Sequence, residues 1–198
     1  MLLRVDLDCQ NKQIMSKQKL YGFTLMELMI VMVLLGILTM VGISSFQSSQ
    51  LKGRDARRKA DLSNISLALE AYFNDQGKYP ADDGNGKIKA CYPDNLTVCE
   101  WGSVFKDKNE TIYMIMMPKD PASQLHYYYD AGTNGLSYQL YARLENLQDI
   151  SLILGLDGKP QVYSGTICGT KVCNYGVASA NLSLTDQNHS LIGESGSK

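Results

Sequence analysis

One apolar run dominates the pattern of the chain. From Phe23 to Ile43 a single charge, Glu27, interrupts an otherwise uncharged and largely aliphatic segment. As an α-helix, about 21 residues span roughly 30 Å, the thickness of a bilayer's hydrocarbon core. Beyond Ser44 no strong breaker intervenes, and Leu62, Ile65, Leu69 and Tyr72/Phe73 recur at three-to-four spacing. That period predicts an amphipathic continuation, apolar on one stripe, which Gly77-Lys78-Tyr79-Pro80 should stop. Further on the period shortens to two. His126–Asp130, a turn at Gly132–Gly135 and Ser137–Leu144 predict a β-hairpin. Its second strand should bury Tyr138, Leu140, Ala142 and Leu144 and wet Gln139, Tyr141 and Arg143. Ile150–Leu154 and Pro160–Tyr163 are candidates for a third and a fourth strand. The Asp/Gly/Asn/Lys-rich residues 81–110 suggest a surface connection, and the Ser/Asn/Gly-rich residues 179–198 a flexible tail. The predicted class is α+β, a long N-terminal helix on a small antiparallel sheet.

Charge adds an orientation. The 198 residues carry a formal net charge of −1. Lys17 and Lys19 precede the apolar run and fit a cytoplasmic N-terminus. Lys52, Arg54, Arg57, Arg58 and Lys59 follow it, and the long domain beyond should be exported regardless of those charges. Asp55 and Asp61 lie among these bases, the pattern of a solvated helix face laced with i to i+4 pairs. No basic stripe interleaved with aromatics is present, which argues against nucleic-acid binding. The acid inside the apolar run is the residue that asks for a function, because a carboxylate in hydrocarbon costs several kcal/mol.

Gly22-Phe23-Thr24-Leu25-Met26-Glu27, followed by Gly36-Ile37-Leu38, resembles the leader and N-terminal helix of type IV pilins and type II secretion pseudopilins. Pro118-Lys119-Asp120-Pro121 ahead of the tyrosine strands is similar to the pseudopilins of the major-subunit type. The proline that pilins commonly carry near Ser44 is absent. The resemblance implies that a membrane prepilin peptidase cuts between Gly22 and Phe23 and N-methylates Phe23. It also implies that Glu27 meets the Phe23 amino group of a neighbouring subunit during assembly. A buried carboxylate and a buried ammonium are each costly alone, and pairing offsets much of that cost. The implied organisation is a leader at 1–22, a transmembrane and filament-core helix half at 23–44, an amphipathic half at 45–77, a β head at 78–178 and the tail at 179–198. Translation is expected to begin at Met15, which leaves a compact leader.

Removing the leader removes Cys9 and leaves Cys91, Cys99, Cys168 and Cys173 in the exported part. An even count there suggests two disulfides with three connectivities open; Cys91–Cys99 with Cys168–Cys173 is the favoured one. The spacing does not suit zinc, and the only histidines are His126 and His189. No nucleophile elbow, P-loop or dinucleotide-binding glycine motif occurs, so no catalytic residue and no cofactor is expected. Asp120, Asp130, Glu145 and Asp157 are oxygen donors of the kind calcium takes, but they follow no ligand pattern. The expected function is a structural subunit of a type IV pilus-like filament or type II secretion pseudopilus, with a role in protein secretion, adhesion or motility, or DNA uptake. Its partners would be other copies of itself, minor pilins or pseudopilins, the prepilin peptidase, an inner-membrane assembly platform with its ATPase, and lipid before assembly. The alternative is a minor pilin-like module presenting an adhesive or cargo-recognising head.

Overall fold

The computed structural model describes residues 22–132 and 134–193, without the side chains of 41–45. Met15, Lys17, Lys19 and Cys9 of the expected leader, Thr133 of the hairpin turn and residues 194–198 therefore lie outside the described residues. The chain divides into two compact units, one through Ser44 and one from Ser45 onward. Helix α1, Leu25–Gln76, begins in the first and ends in the second. It stops where Gly77 takes φ 71° and donates its N–H to the Phe73 carbonyl at 2.8 Å, a left-handed cap that glycine adopts without Cβ strain.

After α1 come short strands: β1 Ala81–Asp82, β2 Ile88–Cys91, β3 Thr97–Val98, β4 Phe105–Lys106, β5 Ile112–Met114, β6 Tyr128–Ala131 and β7 Tyr138–Ala142. They continue with β8 Gln161–Tyr163, β9 Ile167–Cys168, β10 Lys171–Val172, β11 Tyr175–Ala178 and β12 Leu191–Gly193. The central sheet has the order β11-β7-β6, all antiparallel, with Tyr129 opposite Leu140 and Val177 opposite Leu140 on the other side. Smaller antiparallel sheets pair β1-β2-β3, β4-β5, β10-β9 and β12-β8. The result is a pilin-like α+β head.

The helix stripe of Leu62, Ile65, Leu69 and Tyr72 is buried in one core with Tyr129, Tyr138, Leu140 and Ala142 of the central sheet. Tyrosines carry much of it. Tyr72 stacks at 5.6 Å from Phe105, Phe73 at 4.5 Å from Tyr79, and the Tyr129 hydroxyl donates to the Pro80 carbonyl at 2.7 Å. Burial therefore does not strand these polar tips.

Four expectations need correction. Residues 81–110 are not a mere connection: Ile88, Ala90 and Phe105 are buried core residues of β2 and β4. The alternation Lys87-Ile88-Lys89-Ala90 encodes this strand inside a composition that reads as loop. Ile150–Leu154 is not a strand. Asp149 accepts the Ser151 N–H at 2.9 Å on its side chain and the Leu152 N–H on its carbonyl, and such local bonds compete with a ladder. Only Leu152 of that stretch is buried.

The wet face predicted for β7 is dry, with every residue of the strand buried. Nor are residues 179–193 a loose tail. Tyr141, Tyr163, Cys168 and Cys173 form a second core against which Leu184 and Leu191 pack. The Tyr141 hydroxyl donates to the Leu184 carbonyl at 2.7 Å and the Gln139 amide to the Ser183 carbonyl. His189 lies between the Ser164 carbonyl at 3.0 Å and the Asp130 carboxylate at 2.9 Å. The last two corrections share one cause: the C-terminal segment covers the face of β7 that alternation assigns to water.

Candidate functional site

Gly22, Phe23 and Thr24 precede the helix, and Thr24 is its N-cap. The Thr24 Oγ1 accepts the Glu27 N–H at 3.2 Å and the Thr24 carbonyl accepts the Leu28 N–H at 3.2 Å. Thr24-x-x-Glu27 has the spacing of a capping box, a signal legible in the sequence but overlooked beside the charge itself. The cap fixes where the helix starts, so the Gly22–Phe23 bond lies outside helical structure. Both residues are exposed, Phe23 at 83%, and a Cβ built on Gly22 would meet no atom within 4 Å. Nothing among the described residues demands glycine at position 22.

Glu27 sits in the first turn, where a negative charge suits the helix's positive end. Its carboxylate has no ion pair or hydrogen bond with the described residues. Behind it the aliphatic side chains are exposed on every face, from Leu25 at 82% through Met32 to Met40 at 80%. Among the described residues no helix is long and apolar enough to cross a membrane. The described side chains of the apolar run end at Met40, short of the Ile43 to which the sequence carries it.

The charged half of α1 is built differently from its expected solvated face. Arg57 and Asp61 do pair at i to i+4, 3.7 Å apart. The centre, however, is Arg58, fully buried. Its Nε and Nη2 make a bidentate pair with Asp120 at 2.7 Å each, while Nη1 reaches Asp55 at 2.7 Å and Glu145 at 2.9 Å. Burial alone would lower the Arg58 pKa; the hydrogen bonds it donates to three carboxylates reverse that and raise it. Asp55 also accepts the backbone N–H groups of Glu145 and Asn146, at 2.9 and 2.7 Å. Arg54 reaches Glu145 at 2.6 Å, and Lys59 reaches Asp149 at 2.6 Å. The loop after β7 is thus clamped to α1 by ions. Asp61 accepts from the buried Tyr127 hydroxyl at 2.6 Å, and burial together with that carboxylate raises the phenol's pKa.

Other candidate residues fall in separate places. Disulfides join Cys91 to Cys99 and Cys168 to Cys173. Of the four acids considered for calcium, Asp120 and Glu145 meet at Arg58, Asp130 faces His189, and Asp157 accepts the Lys159 N–H in a turn. Among the described residues no group of three or more His, Cys, Asp or Glu side chains is placed to hold a metal.

A long helix opened by a capped Gly-Phe-Thr-x-x-Glu segment, followed by a small antiparallel head, is the arrangement that the resemblance to prepilins implies. The chain matches the model of the prokaryotic N-terminal methylation motif over residues 18–43. It is similar to type II secretion system core protein G of Pseudomonas aeruginosa, at 29% identity over 73% of this chain and 89% of that one. The protein of the same name from Vibrio cholerae is 28% identical over 60% of this chain and 76% of its own. The type IV major pilin protein PilA of Myxococcus xanthus is 34% identical, over 29% of this chain and 26% of the pilin. No solved structure matches significantly. The chain therefore carries the N-terminal methylation motif and is similar to type II secretion core proteins G and, over a shorter stretch, to a type IV pilin.

Proposed function

We propose that this chain is a structural, non-catalytic subunit of a type II secretion pseudopilus or a closely related filament. Cleavage between Gly22 and Phe23 by a prepilin peptidase on the cytoplasmic face, and N-methylation of Phe23, precede assembly. The precursor is held in the inner membrane with its head exported. A platform and its ATPase then draw copies into the filament, and Glu27 meets the Phe23 amino group of the next copy.

The observation that carries this reading is the pairing of an accessible Gly22–Phe23 bond with an apolar helix half that is exposed on all sides. Such a surface is stable only in lipid or against other copies. The secretion assignment is favoured over a pilus by coverage. The two core proteins G align over most of their own length, the type IV pilin over about a quarter of its own.

The test is to shear and purify surface or periplasmic fibres from cells making the chain and to determine its N-terminus by mass spectrometry. The expected result is a main fibre component beginning at N-methylated Phe23. A mature chain that begins elsewhere, or one that stays an anchored monomer in fibre-forming cells, overturns the proposal.

A further inference from the structure

The head carries two exposed apolar patches that its own core does not explain. The first is the loop after β7, where Ile150 is 99% and Leu156 112% exposed, with Ile153 and Leu154 beside them. This loop is held in place rather than free, because Lys59 of α1 bonds both Asp149 and the Ser151 hydroxyl. The second follows β5, where Ile115 is 84% and Met116 67% exposed. Met116 borders a groove of about 430 Å³ whose lining includes Met114, Pro118, Arg57, Asp61, Asn64 and Lys119.

Helix geometry relates the two patches. Arg57 and Lys59 are two positions apart, so they point about 200° apart around α1. Between them Arg58 faces the head and is fully buried. The two patches therefore flank α1 on opposite sides at about the same height. Their charges are complementary. In the Leu147–Asp157 loop Asp149 is paired with Lys59, which leaves Asp157 as its outward charge; at the groove Arg57 is paired with Asp61, which leaves Lys119 as the cation there. Methionines at the groove suit a surface that must adapt to an aliphatic knob.

We infer that the Ile150–Leu156 loop of one copy seats in the Met116 groove of a laterally adjacent copy of this chain, a heterologous contact between subunits. Two different patches on opposite flanks do not close on each other as a twofold dimer does; repeated, they generate an open assembly. The inference rests on the filament reading above and adds to it which head surfaces touch. Lys119 at the groove suits Asp157 of the loop, and the aliphatic side chains leave water on contact.

The experiment uses the full chain in its own cells, with Ile150→Cys and Met116→Cys introduced singly and together. The four exported native cysteines are tied in disulfides, so a short bismaleimide reports on the new thiols. The double variant is expected to give a ladder of dimers and higher multimers in sheared fibres, and the singles at most dimers. A second arm places aspartate at Ile150 and Leu156, positions too exposed to matter for folding; about a tenfold loss of fibre at unchanged chain level is expected. Fibres of the double variant without a ladder, or an aspartate variant with undiminished fibre, overturn this contact and leave the filament reading intact. Wild-type cells that form no fibre of this chain overturn both.

Discussion

The two halves of α1 invert the usual relation between polarity and burial. From Leu25 to Met40 the aliphatic side chains are exposed, whereas Asp55, Arg58 and Asp61 are buried. Greasy residues left in the open need contacts that the described residues do not supply. Charges taken out of water have their partners inside the chain, because a buried ion is tolerated only when paired. On the proposed function the first half serves assembly while the second serves folding, and variants should separate the two. The largest effect is expected from Glu27→Ala. On the proposed pairing of Glu27 with the Phe23 amino group of the next copy, its removal should reduce sheared fibre on the order of a hundredfold. Cleavage at Gly22 and the melting temperature of the full chain in detergent should stay unchanged. A melting shift comparable to that of a core variant would collapse the distinction between the halves.

The converse variant is Arg58→Met, which keeps the stem and removes the guanidinium. It leaves Asp120, fully buried, and Asp55, 1% exposed, without their cation. Breaking a buried pair by removing one partner costs about 3–5 kcal/mol. Urea unfolding of the full chain in detergent should show that loss. The proposed cleavage after Gly22, ahead of the start of α1 and distant in sequence from this cluster, should persist. Replacing Arg58 and Asp120 together by apolar residues should recover part of the loss, since no orphaned carboxylate then remains at that position.

A smaller effect should come from acid. Burial acts to raise the Glu145 carboxyl above its ordinary 4.5, but the hydrogen bonds from Arg54 and Arg58 outweigh it and hold the group lower. Asp149 behaves alike: burial raises it, and bonds from Lys59 and the Ser151 N–H bring it below 3.8. A carboxyl whose folded pKa lies below its unfolded one contributes stability that is present above the unfolded value and lost as pH falls through the folded one. Stability should therefore decline between about pH 5 and pH 3, and Glu145→Gln should flatten that decline. An equal slope in the variant would assign the acid sensitivity elsewhere.

What the sequence disclosed follows the same division. The helix, its stop at Gly77 and the hairpin of β6 and β7 were legible because local period and turn chemistry set them. The roles of Arg58 and of the C-terminal segment were not. Arg58 looks like any base in an alternating run until Asp120 and Glu145, more than sixty residues away, converge on it. Gln139, Tyr141 and Arg143 read as a wet face because alternation reports polarity, not what folds back over it. Conversely, Ile150–Leu154 reads as a strand although Ile150 is fully exposed; a continuous aliphatic run states that a partner exists without saying in which chain.

The smallest expected effect probes the face of β7 that the C-terminal segment covers. Tyr141 is fully buried, its ring lies 5.0 Å from Tyr163 and 5.3 Å from His189, and its hydroxyl holds the Leu184 carbonyl. Tyr141→Phe keeps the ring contacts and deletes one hydrogen bond, a loss of about 1 kcal/mol. That should lower the melting temperature by roughly 2–4 °C in a chain of this size. The informative readout is local. Amide exchange should quicken in β12, which pairs Leu191 with Tyr163 and Ile192 with Val162, while the amides of α1 near Leu62 keep their protection. The counterpart on the helix-facing side is Tyr129→Phe, which deletes the bond to the Pro80 carbonyl and should leave β12 undisturbed. If Tyr141→Phe loosened α1 as much as β12, the two faces would form one cooperative core, and the segment after Ser179 would belong to the folding unit of the helix rather than to a separate cover.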